Sequence, residues 1–118
     1  MFTENSTLLK NGFAFLIGVP VNEIVTVGSL MGEKLVFNEF IAYLNLTSIQ
    51  ATLSDKSIII ASFALCGFAN FGSIAIQIGG IGELAPERKK DLAKLAYRAL
   101  VAGTFTSYIS AALAGLLL

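Results

Sequence analysis

Histidine and tryptophan are absent from this chain of 118 residues, and cysteine occurs once. Without histidine, the commonest general base and the commonest metal ligand are missing. A single thiol, Cys66, excludes an intrachain disulfide. It lies in an apolar run with no base beside it in sequence, so it reads as a small buried hydrophobe rather than a reactive thiol. Charge is scarce too, at 14% of residues, where a soluble domain carries about a quarter. Eight acids balance eight bases, so there is no basic footprint for nucleic acid. No serine–base pair and no metal cluster is evident, and an enzyme is the class the composition supports least.

What remains is apolar. Hydrophobic residues make up 55% of the chain, and mean hydropathy is +0.77. Uncharged runs of such length belong in a bilayer, where helices satisfy their own backbone groups. The chain therefore reads as all-α and integral to a membrane. Its start, MFTENSTLLKNG, is polar, and the apolar stretch from Phe13 to Val19 is short. It has neither the basic region nor the cleavage site of a signal peptide. Such a start is odd for a multi-spanning protein, and the expectation is that an N-terminal part is missing.

Pro20 suits the first turn of a helix, and Asn22 and Glu23 follow where a negative charge meets the positive end of the helix dipole. A helix from about Val21 to Phe37 is too short to span comfortably, and a second short helix runs from about Phe40 to Leu46. Two short apolar helices with Asn38 and Glu39 at their junction describe a re-entrant hairpin over about 20–46. Non-helical backbone at that depth is tolerated only against protein or a water-filled cavity, so the junction should face a cavity. Glu39 sits in an apolar stretch, and intramembrane polar groups are usually kept for a substrate, an ion or a proton.

Residues 47–57, TSIQATLSDKS, read as a polar loop with Asp55 and Lys56 solvated. Residues 58–82 carry no charge and are the clearest transmembrane candidate. Gly67, Asn70, Gly72 and Ser73 interrupt their middle. Glycines weaken a helix locally, and a broken helix with polar groups at the break is a common midplane site in transporters. Close helix packing, with Asn70 and Ser73 as interhelical hydrogen bonders, is an equal reading of these residues alone. Gly79, Gly80 and Gly82 read as a helix terminator.

Residues 83–94, ELAPERKKDLAK, read as a charged loop whose basic excess points to the cytoplasmic side. Residues 95–118 form a final span, with Arg98 snorkelling near its start. Ala102, Gly103, Ser107, Ser110, Ala111 and Gly115 give it a small-residue face suited to tight packing. By alternation, the 47–57 loop and the C-terminus lie on the outer side.

The segment Gly32-Glu33-Lys34-Leu35-Val36-Phe37-Asn38-Glu39-Phe40-Ile41-Ala42-Tyr43 resembles the concentrative nucleoside transporter family, of the bacterial nucleoside permease type. That family's pattern is Gly or Ala, any residue, Lys, three residues, Asn-Glu-Phe, any residue, Ala, then an aromatic or Met, and every fixed position matches. Residues 63–76, Gly79-Gly80 and Leu84-Ala85-Pro86 are similar to the same family, in its order. The resemblance covers the chain from about Phe13 onward.

The resemblance implies a carrier that drives nucleosides inward on a sodium or proton gradient, a symporter in the plasma membrane, multi-pass and trimeric. It implies that residues 1–118 are the C-terminal part of a larger transporter fold, holding the second hairpin, the second broken helix and the last span. By position, Glu39 would accept hydrogen bonds from ribose hydroxyls, Asn70 and Ser73 would bind the same sugar, and Phe68 would pack on the nucleobase. Residues that read the base and the coupling ion mostly belong to the first hairpin and first broken helix, so the ion site is expected outside this chain.

Other roles stand beside these. Asn38 reads as an N-cap of the second hairpin helix, supporting the junction. Lys34 is five residues from Glu39, a poor helical spacing, and is expected to pair with a hairpin carboxylate or reach the interface. Gln77 is expected to hydrogen-bond a neighbouring helix, and Tyr43 and Tyr97 to sit at the membrane interface. The alternatives to a carrier are a truncated, non-transporting remnant and a small structural subunit packed on a full-length relative.

Overall fold

The computed structural model describes residues 2–118, with side chains from residue 7 onward. The described residues form helices and turns, with no strand among them. The α-helices are α1 (Phe2–Leu16), α2 (Ile24–Val36), α3 (Glu39–Ile49), α4 (Asp55–Leu65), α5 (Phe71–Leu84) and α6 (Lys89–Leu116). The polar start, beyond Met1, is thus part of a helix. Its end is well marked: Gly18 takes a left-handed φ of 92°, Gly18 N–H donates to Phe15 O and Val19 N–H to Ala14 O. That pair of bonds is a Schellman motif, and Pro20 just beyond prevents the helix from resuming.

A short 3-10 turn, Val21–Glu23, leads into α2. Helix α2 stops at Val36, and Asn38 restarts the chain as α3 by accepting the Ile41 N–H on its side-chain oxygen at 3.0 Å. The reversal is therefore two residues long, and α2 packs directly on α3.

The expected polar loop over 47–57 is mostly helix. Helix α3 continues to Ile49, a 3-10 turn covers Gln50–Thr52, and α4 begins at Asp55. The hydroxyls of Thr47, Ser48 and Thr52 fold back onto the carbonyls of Tyr43, Asn45 and Ile49. Their polarity is satisfied within the helix and does not demand a loop. Ser54 caps α4 through the Ser57 N–H.

The stretch read as one interrupted span over 58–82 is two helices, α4 and α5, separated by residues 66–70. Neither alone is long enough to cross a bilayer. At the break Cys66 is extended, Gly67 has a φ of 97°, and Asn70 caps α5. Gly79, Gly80 and Gly82 lie inside α5 and do not end it. Glycine lowers helix stability without stopping a helix. The stop comes at Ala85, which precedes Pro86 and is pushed out of the helical region by the proline ring.

The charged stretch 83–94 is helical too. Pro86 opens a 3-10 turn, Pro86–Arg88, that runs into α6. Glu, Lys, Arg, Leu and Ala are all strong helix formers, so solvated charge here extends the helix. Its ion pairs, Arg88–Asp91 at 2.7 Å and Lys89–Glu83 at 2.9 Å, are exposed and contribute at most about 1 kcal/mol each. Among the described residues, Pro86–Leu116 is the one helical stretch long and apolar enough to cross a membrane.

Helix α6 lies along α4 and α5, while α2 touches α1, α3 and α4. Gly103, Ser107, Ala111 and Gly115 recur every four residues and form the packed stripe of α6. A Cβ on Gly115 would lie 2.9 Å from Ile60 Cδ1, and one on Gly103 would lie 3.2 Å from Ala69 Cβ. Ala102 and Ser110, expected on that stripe, lie off it: Ala102 is exposed and Ser110 is half-buried, its hydroxyl returned to Thr106 O. Val27, Leu30, Met31, Ile60, Ala61, Ala64 and Leu65 fill the centre.

Candidate functional site

The hairpin turn and the helix break meet. Glu39 is the first residue of α3 and Asn70 is the N-cap of α5, so two helix N-termini converge on one point. Asn70 is 2% exposed and uses both ends of its amide. Its oxygen accepts the Ser73 N–H at 2.7 Å, and its nitrogen donates to Glu39 Oε2 at 2.8 Å. A carboxylate accepting from a neutral amide at a pair of positive helix ends is a favourable arrangement. Gly72 permits the approach: a Cβ there would lie 3.3 Å from Asn70 Oδ1 and 3.7 Å from Phe37 O.

Of the residues singled out in the sequence, the structure joins Glu39 directly to Asn70, and Ser73 to Asn70 through its backbone. Asn38 caps α3 on the other side of Glu39. Phe68 is separate. It stands 75% exposed in the break and borders a cavity of about 610 Å³ between the break, α5 and α6. Asn70 borders that cavity as well, whereas Glu39 and Ser73 do not. Asn70 is therefore the hinge between a polar side, facing Glu39, and a mostly apolar recess containing Phe68, Ile74 and Leu100.

Three expectations, on Lys34, Cys66 and Gln77, are corrected here. Lys34 neither pairs with a carboxylate nor reaches an interface. It is 1% exposed, and its ammonium donates to Ala64 O at 2.9 Å, Cys66 O at 3.0 Å and Ser107 Oγ at 3.1 Å. A long side chain on the last turn of α2 reaches the end of α4, whose carbonyls have lost their helical partners at the break. Cys66 is exposed, because the break lifts it out of the helical core. Tyr43 is half-buried and donates to Ser62 O at 2.6 Å, tying α3 to α4. Gln77 is exposed, lines the recess and makes no hydrogen bond among the described residues.

The role of Lys34 is what sequence reasoning missed. Its partners are two backbone carbonyls and a serine 73 positions away, and none of these leaves a mark in the local sequence. The one available signal was a lysine with no acid at helical spacing inside an apolar segment.

Among the described residues no three or more Cys, Asp or Glu side chains gather. The backbone oxygens at the end of α4, the natural seat for a small cation at a broken helix, are taken by the Lys34 ammonium.

A broken helix and a two-helix hairpin thus share one polar centre, the Glu39–Asn70 pair. The chain belongs to the family described as Na+ dependent nucleoside transporter C-terminus, whose profile matches residues 7–115. It is 54% identical over 103 residues to the uncharacterized transporter YutK of Bacillus subtilis, covering 87% of this chain and 26% of that protein. It is 41% identical over 115 residues to the nucleoside permease NupC of Helicobacter pylori, covering 93% and 27%. Over 120 residues it is 42% identical to human solute carrier family 28 member 3, covering 89% and 17%. Its structure is similar to that of CNTnw in an inward-facing substrate-bound state, with a TM-score of 0.86, 46% identity, and 93% and 28% of the two chains covered. The chain thus spans about a quarter or less of the length of these relatives.

Proposed function

We propose that this segment is the C-terminal part of a cation-coupled nucleoside carrier and supplies one wall of its substrate site. Glu39, Asn70 and Ser73 hold the ribose, and Phe68 lies against the base. The observation that carries this reading is the 2.8 Å bond between Asn70 Nδ2 and Glu39 Oε2. In this structure the two groups satisfy each other. A ribose diol, donor and acceptor on neighbouring carbons, can take the place of that bond by donating to the carboxylate and accepting from the amide. The exposed Phe68 ring offers the flat apolar face a nucleobase needs.

In this reading α2 and α3 form a re-entrant hairpin, α4 and α5 a discontinuous transmembrane helix, and α6 the final span, in a multi-pass protein of the plasma membrane. The 83–94 stretch faces the cytoplasm, and the carrier is a homotrimer. The coupling ion, Na+ or H+, binds on other parts of the carrier. No bond of the solute is made or broken.

The test is uptake of radiolabelled uridine by cells expressing the complete carrier, with Glu39→Gln against wild type. The variant keeps size and membrane insertion but loses the charge that strengthens the sugar bonds. Uptake at low uridine should fall by about tenfold or more, since a charge-assisted bond is roughly twice as strong as a neutral one. Unchanged uptake kinetics at equal surface expression would remove Glu39 from the site.

A further inference from the structure

The Lys34 ammonium occupies a cradle of three oxygens at the C-terminal end of α4. Two are the carbonyls of Ala64 and Cys66, and the third is the Ser107 hydroxyl of α6, which itself donates to Cys66 O at 2.7 Å. The end of a helix carries the equivalent of about half a negative charge on its unpaired carbonyls. At the end of a half-helix inside a carrier, such oxygens usually bind a mobile cation. Here all three protons of the ammonium are used, and the group is sealed from solvent. No carboxylate lies within ion-pair distance of it among the described residues. The charge is balanced by backbone dipoles, and the adjacent Glu33 carboxylate is turned away to Asn45.

We infer that Lys34 is a tethered cation that replaces an exchangeable ion at this break, and that it acts as a positioning residue for the nucleoside site. The inference about positioning rests on the nucleoside reading above; the inference about the cation does not. The geometry gives both. Lys34 leaves the last turn of α2, four residues before Asn38 and five before Glu39. It grips the backbone at Ala64 and Cys66, six and four residues before Asn70. The hairpin turn and the break are therefore pinned together by the cation, and the Glu39–Asn70 distance is set by it. An ion from solution would leave and return with salt and transport state. A covalently attached one keeps this half of the site assembled throughout, so its occupancy is independent of the ion gradient.

The test uses the complete carrier, purified in detergent, with Lys34→Ala and Lys34→Met. Thermal midpoints are read at constant ionic strength in methylammonium, which fits the cradle, and in tetramethylammonium, which has no N–H to donate. Uridine affinity is read alongside by calorimetry. Lys34→Ala should lose several degrees in tetramethylammonium and regain much of that in methylammonium, while wild type is indifferent to the exchange. Lys34→Met fills the space without charge, so it should stay low in both salts and weaken uridine binding by about tenfold or more.

A Lys34→Met carrier with wild-type midpoint and uridine affinity would overturn the proposal. So would a folded Lys34→Ala carrier that does not distinguish the two ammonium ions. If Lys34→Ala yields no folded protein in either salt, Lys34→Arg decides. A guanidinium can reach the same oxygens, and recovery of folded carrier with Arg but not with Met supports the cation. Equal outcomes for Arg and Met reject it. A wild-type carrier that binds no uridine would sink the nucleoside reading and leave the midpoint comparison standing.

Discussion

Asn70 caps its own helix with one end of its amide and reaches Glu39, 31 residues earlier, with the other. A single side chain thereby couples the start of α5 to the start of α3. Asn70 thus serves helix stability and the shared polar centre at once, and the two roles can be separated by choice of substitution.

Asn70→Asp keeps the cap but turns the donor facing Glu39 into a second carboxylate. Uridine affinity should drop by more than tenfold, or about 1.4 kcal/mol, because two like charges then meet at hydrogen-bond distance. Asn70→Ser keeps a capping oxygen and loses only the reach to Glu39. Its midpoint should stay near wild type while affinity falls. Thermal unfolding in detergent and calorimetric titration of the complete carrier check both.

Gly67 turns the chain at the break with a φ of 97°, and a Cβ there would meet only Ser107 Oγ, at 3.5 Å. Space is not the obstacle; backbone conformation is. Gly67→Ala should destabilise by about 1–2 kcal/mol, and Gly67→Asn by less, since Asn tolerates left-handed backbone better. Equal effects of Ala and Asn on the thermal midpoint would count against this account.

Gly115 presses on Ile60 and on the Ile17 carbonyl. Gly115→Val should cost about 1–3 kcal/mol by overpacking. Combining it with Ile60→Ala should recover part of that loss, giving a double-mutant coupling of the sign expected for residues in contact. Additive losses would place the two residues apart.

Glu23 lies at one end of the bundle, outside the apolar spans. It accepts from the Ser54 N–H at 3.1 Å and from the Ser54 hydroxyl at 2.8 Å, joining the hairpin entry to the start of α4. The nearby Ser57 hydroxyl, and the Ser54 hydroxyl and N–H that bond to Glu23, hold its carboxyl below the usual range, against the opposing effect of burial. Ser57 Oγ is buried and does not itself complete a hydrogen bond, so the Ser54 bonds are the geometric basis of the clamp. A depressed acid stabilises the fold when ionised. The clamp is therefore at full strength above the ordinary glutamate value of about 4.3 and fades as pH falls through the lower folded value. The midpoint difference between wild type and Glu23→Gln should be constant near neutral pH and shrink only in acid.

Cys66 is exposed at the recess that holds Phe68. If a nucleobase lies on Phe68, uridine should slow alkylation of Cys66 by N-ethylmaleimide in the complete carrier, while a free sugar such as ribose should not. Mass spectrometry of the labelled peptide reads the rate. Identical rates with and without uridine would detach the recess from the solute.

Much of the fold was legible because it is encoded locally. Pro20 and Asn38 mark helix starts by ring or side-chain chemistry, and Gly67 with Asn70 marks the break. The hairpin followed from two short apolar stretches around Asn38. What misled was polarity. Thr47, Ser48 and the run from Glu87 to Lys94 look like loops by hydrophilicity, yet each favours helix once hydroxyls bond back or charges face solvent. The candidate site was legible in part for the same reason. Glu39 and Asn70 are unusual within their own segments, but Lys34 is explained only by carbonyls and a hydroxyl that distant segments bring to it.

The oxygens around Lys34 come from parts of the chain made at different times. When α4 and the break have left the ribosome, the carbonyls of Ala64 and Cys66 can already receive the lysine of α2, synthesised some thirty residues earlier. The serine that completes the cradle is 41 residues further on from Cys66. During synthesis there is thus an interval in which the bent segment is only partly braced, and it ends when α6 swings alongside. Docking of α6 is then the event that completes the bend.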